Sequence, residues 1–101
     1  MNYHGLELAE ETVAGFCRRH HIRRLSLFGS ILRDDFRPES DVDVLVEFEP
    51  GHVPGLLRMA RIETELSQIL SRKVDLRTAA ELSPRFRDRV LSEAQVQYVH
   101  A

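Results

Sequence analysis

The sequence predicts an α/β domain of the α+β kind, in which helices cover one face of a small set of strands. Three observations carry this. Apolar residues recur at helical spacing in three segments. Alternating or short apolar runs bounded by turn residues mark strands between them. The strands carry apolar side chains on one face and aspartates on the other, as their period of two requires. The order along the chain is helix, strand, strand, helix, strand, helix.

Residues 6–20 are expected to form the first helix, because Leu6, Ala9, Val13, Phe16 and Cys17 share a stripe. Residues 23–28 read as a strand ended by Gly29, and residues 30–34 as a short helix opening at Ser30. Arg37-Pro38-Glu39-Ser40 is turn chemistry. Residues 41–48 alternate cleanly: Val42, Val44, Val46 and Phe48 share one face, and Asp41, Asp43, Leu45 and Glu47 the other. Glu49-Pro50-Gly51 ends that strand. A helix over 54–71 follows, with Met59, Ile62, Leu66, Ile69 and Leu70 on its stripe. In residues 73–77, Val74 and Leu76 point one way and Asp75 the other. Ser83 and Pro84 suit the N-cap and first turn of a helix reaching to about residue 94, with Phe86, Val90 and Ala94 inward. Residues 95–99 form either a short last strand or a tail.

A chain of 101 residues is expected to be one domain, spanning 1–101. Hydrophobic residues make up 43%, enough to build a core rather than a disordered chain. A domain this small buries a modest core, which favours support from a partner or self-association, as a homo- or hetero-oligomer. The formal net charge of -2 argues against the broad basic surface of a dedicated nucleic-acid binder, so no stable nucleic-acid complex is expected. Lone Cys17 cannot form an internal disulfide, and the five histidines show no ligand spacing along the sequence. His20-His21 reads as a helix end that complements the dipole. There is no secretory pattern and no apolar run near the ~20 residues of a membrane span, so a cytoplasmic protein without a membrane partner is expected.

The chemistry concentrates in one run. Phe28-Gly29-Ser30 leaves a strand, ten residues follow, and then comes Asp41-Val42-Asp43. Two carboxylates at i and i+2 of a strand point to one side about 6.6 Å apart, able to share a cation or flank two of them. Gly29, lacking a Cβ, lets backbone approach a phosphate, and Ser30 adds a hydroxyl and the start of a helical turn. Asp75, alone on the polar face of its strand, faces the same pocket if that strand lies beside residues 41–48. There it could deprotonate a hydroxyl nucleophile or complete a metal site. The plainer alternative is an ion pair with Lys73 or Arg77. Glu47 shares the aspartate face but lies further along. Arg33, one turn after Ser30, is within reach of a phosphate or is a solvated helix residue. Arg85, Arg87 and Arg89 give the last helix a basic side, which in most proteins is a solvated face and in others a contact to nucleotide or partner.

Gly-Ser, ten residues, then Asp-x-Asp, in a strand–turn–strand setting, resembles the nucleotidyltransferase superfamily of DNA polymerase beta. The segments F-G-S, S-D-V-D-V-L-V-E-F, R-K-V-D-L-R-T and L-S-P-R-F-R-D-R-V are similar to its minimal nucleotidyltransferase (MNT) members, over roughly residues 7–98. The resemblance implies a small mixed β-sheet with helices packed on one face, the nucleotidyltransferase fold. It implies that Gly29, Ser30 and Arg33 bind the nucleotide, and that Asp41, Asp43 and Asp75 form the catalytic and metal-binding set for Mg2+ with ATP as donor. Many relatives have Gly after the arginine matching Arg33, where this chain has Asp34. The minimal members are similar to antitoxins of HEPN/MNT systems, which transfer AMP from ATP to a tyrosine of a HEPN-domain toxin. A HEPN toxin acting as acceptor is therefore the expected partner. Two other readings are a non-catalytic antitoxin that occludes its partner, and a nucleotidyltransferase for small molecules.

Overall fold

The computed structural model describes residues 2, 3, 6–34, 36, 37 and 39–100. In chain order it contains strands β1 (Asn2–Tyr3) and β2 (Leu6–Glu7), helix α1 (Glu10–Arg19), strand β3 (Ile22–Phe28), and a 3-10 turn over Gly29–Leu32. Then come β4 (Val42–Phe48), α2 (Leu56–Leu70), β5 (Val74–Arg77), a 3-10 turn over Ala79–Glu81, α3 (Pro84–Glu93) and β6 (Gln95–Val99).

The main sheet has the order β5-β4-β3-β6. β3 pairs antiparallel with β4 and β6, and β4 pairs parallel with β5, so the sheet is mixed. The parallel step is made by α2, as a crossover connection requires. The apolar face of β3, β4 and β5 (Leu25, Leu27, Val42, Val44, Val46, Val74, Leu76) is buried against Val13, Phe16 and Cys17 of α1 and Ile62, Leu66 and Leu70 of α2. Met59 and Ile69 pack at the margin, completing the predicted stripe of α2. Burial pushes the Cys17 thiol up to about 12, with Arg18 opposing weakly, so this cysteine is a packing residue and not a nucleophile.

Three expectations need correction. The first helix begins at Glu10, not residue 6: Leu6 and Leu8 are both buried at strand spacing, and β1 and β2 pair antiparallel. Glu10 and Glu11 then suit the positive end of α1. Secondly, α3 has no buried residue. Phe86 is 56% exposed and Val90 and Ala94 are only half-buried, because α1 and α2 already occupy the sheet's apolar face. Thirdly, Ser83 takes the N-cap position but works through its carbonyl, which accepts from the Phe86 and Arg87 amides at 2.9 Å. Residues 95–99 are a strand, closing the sheet edge beside β3. The turn at 37–40 forms, with the Ser40 amide donating to the Arg37 carbonyl at 3.0 Å; Pro38 lies outside the described residues.

Arg87 does not form part of a solvated basic face. Its Nε donates to the Ala79 carbonyl at 2.8 Å and its Nη2 to the Leu82 carbonyl at 3.0 Å, tying the connection after β5 to α3. Arg89 pairs with Glu93 one turn on, at 3.1 Å. Replacing Arg87 by Ala is expected to cost about 1.5–3 kcal/mol, the range for hydrogen bonds to a charged group. Urea denaturation measures the loss, and limited proteolysis should cut first within residues 78–82.

Candidate active site

The face of the sheet opposite the core gathers the candidate site residues. Its strands supply Ser26 and Arg24 from β3, Asp43, Leu45 and Glu47 from β4, and Asp75 and Arg77 from β5. Cross-strand pairing places Phe28 opposite Asp43, Ser26 opposite Leu45, Asp43 beside Asp75 and Leu45 beside Arg77. Asp43 and Asp75 are thus direct neighbours, about 4.8 Å apart across the two strands. The sequence-level condition on Asp75, that its strand lie beside β4, is met.

β5 is an edge strand whose outer amides need partners. The Ser67 hydroxyl accepts from the Val74 amide at 3.0 Å, and the Glu63 carboxylate accepts from the Leu76 amide at 2.8 Å. Side chains of α2 thus hold the strand on both sides of Asp75. The lead-in to Asp41 is fixed by Arg72, whose Nη2 donates to the carbonyls of Ser40 at 2.8 Å and Arg37 at 3.1 Å. Its guanidinium lies over the Phe36 ring, 4.8 Å from the centroid. Sequence reasoning missed Arg72 as a positioning residue. Its carbonyl partners are more than thirty residues away, and no pattern in the sequence links them.

Gly29 has φ +75°, in the left-handed region, and lies against Asp43. A Cβ at position 29 would collide with the Asp43 carboxylate, with Cγ only 3.1 Å away. Only glycine meets both demands, the backbone conformation and the close approach. The following turn is a single 3-10 turn, Gly29–Leu32, not a longer helix. The Ser30 amide donates to the Asp43 carboxylate, so that donor is spent on the aspartate and is not free for an anion. Arg33 closes the turn, its amide donating to the Ser30 carbonyl at 3.0 Å, and its side chain is exposed.

The three carboxylates create an unfavourable field. Burial raises the Asp43 pKa above the usual carboxylate value, and the nearby Asp75 and Asp41 raise it further; the Ser30 amide and Arg77 oppose them. Two of the acids turn to local cations. Asp75 accepts from Arg77 Nε at 3.0 Å and Nη2 at 3.4 Å, and this pairing raises the arginine's own pKa. Asp41 lies 3.9 Å from Lys73 Nζ. The plainer reading of Asp75 as an ion-paired residue is therefore present in the same structure as its place beside Asp43. A half-buried carboxylate of raised pKa with two further acids beside it fits a divalent cation with oxygen preference. Binding one would relieve the repulsion and satisfy the acids together.

A cleft of about 320 Å³ adjoins the acids on the same face. Leu45 and Ser26 form part of its floor, with Val53, Thr78, Val96 and Leu91 of α3 among its walls. Leu45 is 7% exposed yet stands apart from the main core, so the aspartate face is partly apolar and not simply open. Arg87 contributes indirectly, by holding the segment of Thr78 and Ala79.

Glycine-aspartate contact, adjacent strand-borne acids and an apolar cleft on the same face form a candidate site for phosphate transfer. The chain belongs to the nucleotidyltransferase domain family, whose model matches residues 10–96, and it is a nucleotidyltransferase enzyme. Among its relatives is a Methanocaldococcus jannaschii chain assigned as a protein adenylyltransferase, 40% identical over 76 residues, covering 75% of this chain and 80% of that one. The protein adenylyltransferase MntA of Thermococcus cleftensis is 36% identical over 75 residues, 74% of each chain. A solved structure assigned as a minimal nucleotidyltransferase superposes with a TM-score of 0.69 at 41% identity, covering 84% of this chain and 85% of that one. The fold is also that of a complex in which an MNT antitoxin is bound to a tri-AMPylated HEPN toxin of Shewanella oneidensis. There the TM-score is 0.65 at 18% identity, with 90% of this chain and 70% of that one covered.

Proposed function

We propose that this chain transfers AMP from ATP to a hydroxyl group, most simply a tyrosine, of a HEPN-type toxin, and so acts as its antitoxin. The observation that carries the reading is Asp43: half-buried, raised in pKa, touching Gly29 and flanked by Asp75 and Asp41. Relatives named protein adenylyltransferases support protein as the acceptor class.

In this reading Asp41 and Asp43 hold Mg2+, which supplies positive charge against the triphosphate when bound. Gly29 admits the β- and γ-phosphates close to backbone, and the Ser30 hydroxyl and Arg33 contact them. Asp75 takes the proton from the acceptor hydroxyl, with Arg77 holding its carboxylate in place. The hydroxyl oxygen bonds to the α-phosphorus, the bond from that phosphorus to the bridging oxygen breaks, and pyrophosphate leaves. Catalysis is then chiefly positioning and charge neutralisation. ATP as donor fits a reaction in the cytoplasm. Val53, Leu56 and Leu57, 72%, 91% and 82% exposed, offer an apolar surface of the kind that marks protein contacts, which supports an acceptor delivered by a partner.

Isotope position tests this directly. With a HEPN toxin as acceptor, label from ATP carrying α-phosphate 32P should appear on the toxin, and label from γ-phosphate 32P should not. EDTA should abolish transfer and Mg2+ restore it. Label arriving from the γ position would mean phosphoryl transfer and overturn the proposal.

A further inference from the structure

We propose that His21, Glu49 and His52 form a transition-metal site, taking Zn2+ or a similar first-row divalent cation, at the end of the sheet away from the aspartates. Their ligand atoms all lie within 4.8 Å of one another, a grouping the structure makes from two distant parts of the sequence. β3 and β4 run antiparallel, with Ile22 opposite Phe48, so the residue before β3 and the residue after β4 meet. The seven-residue length of β3 separates this end from Gly29 and Asp43 by about 20 Å.

The three residues are tied through their backbones as well as their side chains. The Glu49 amide donates to the His21 carbonyl at 2.8 Å, and the His52 amide donates to the Glu49 carbonyl at 3.0 Å. His21 has φ +55°, a left-handed conformation that histidine tolerates better than most residues. From there its Nδ1 lies 3.3 Å from Glu49 Oε2, and its ring stacks on His52 with centroids 3.9 Å apart and planes 14° from parallel. Around zinc, with bonds of about 2.0–2.1 Å, tetrahedral ligand atoms stand about 3.3 Å apart. Turning the two imidazoles out of their stack is the movement that would bring the grouping to that size.

The donor set decides the ion. Two imidazoles and one carboxylate suit zinc, nickel, copper or cobalt, whereas magnesium prefers oxygen. His52 is exposed and His21 and Glu49 are half-buried, so an ion can enter from solvent and a fourth position stays open to water. Occupancy would pin the turn after β4 to the junction between α1 and β3. That turn leads into Val53, which lines the cleft beside the aspartates.

The test uses the full chain without a polyhistidine tag and with Co2+ and Zn2+ as probes. The wild type should take up one equivalent of Co2+ with visible d–d bands of nitrogen and oxygen ligation. Zn2+ should displace it and raise the thermal midpoint; excess Mg2+ should do neither. His52→Ala, at an exposed turn, should lose the bands and the zinc shift, as should Glu49→Gln. Asp41→Asn with Asp43→Asn should keep both. Absence of bands in the wild type, or their survival in both His52→Ala and Glu49→Gln, would overturn the proposal. Loss confined to the aspartate variant would overturn it equally, by placing the ion at the aspartates.

Discussion

Asp43→Asn is expected to lower the rate of AMP transfer by about 10³-fold or more, and yet to raise the thermal midpoint of the ligand-free protein at neutral pH. The first effect follows from the proposed role: a carboxylate that holds the metal is worth several kcal/mol to the transition state. The second follows from the sign of the pKa shift. Asp43 is raised in the fold by burial first, then by Asp75 and Asp41. A raised group favours folding fully below its unfolded pKa, and that advantage is lost as pH rises through the folded value. At pH 7 the ionised Asp43 is therefore a net cost, which Asn removes. The gap in melting temperature between variant and wild type should be open at pH 7 and close as pH falls below the ordinary value of 3.8. Mg2+ should raise the wild-type midpoint more than that of the variant. Differential scanning calorimetry with and without Mg2+ measures all three, and a variant less stable than wild type at pH 7 would contradict the electrostatic reading.

Among the described glycines, Gly29→Ala should be the most damaging added methyl. Alanine at φ +75° carries a conformational cost of about 1–2 kcal/mol. Its Cβ also collides with the Asp43 carboxylate, and one of the two must move. Gly51 is a built-in control: its φ is +82°, but no atom lies within 4 Å of an added Cβ. Gly51→Ala should show the conformational cost alone, with transfer activity retained. Gly29→Ala should lose about 1–3 kcal/mol of stability and most of its activity. Equal activity in the two variants would mean that the Gly29–Asp43 contact is not used.

The aspartate face was readable because strand phase is strict. Once residues 41–48 alternate, Asp41 and Asp43 must share a side, and only the adjacency of β5 to β4 was left to bring Asp75 alongside. The apolar stripe of α2 was equally readable, residue for residue. The misreadings have common physical causes. Leu6 fits a helical stripe, but Leu6 and Leu8 fit a strand too, and pairing with β1 decided between them. In α3 the apolar spacing was real, yet the sheet face it would cover was already taken. Arg87 was read as part of a basic side and Arg72 was passed over, because their partners are backbone carbonyls of loops, which leave no side-chain signature. His21 was read as a helix end. Its meeting with Glu49 and His52 depends on β3–β4 register, and no linear spacing records that. His20, read the same way, turns its Nε2 to Glu65 of α2 at 3.1 Å.

The most direct measurement is the intact mass of a HEPN toxin after incubation with ATP, Mg2+ and this chain, beside the same incubation with the Asp41→Asn, Asp43→Asn double variant. The account predicts toxin heavier by one or more adenylyl groups, carried on a hydroxyl side chain, with the wild type only. A toxin that is inhibited but unmodified would contradict it in favour of occlusion. An adduct formed equally well by the double variant would remove the aspartates from the chemistry.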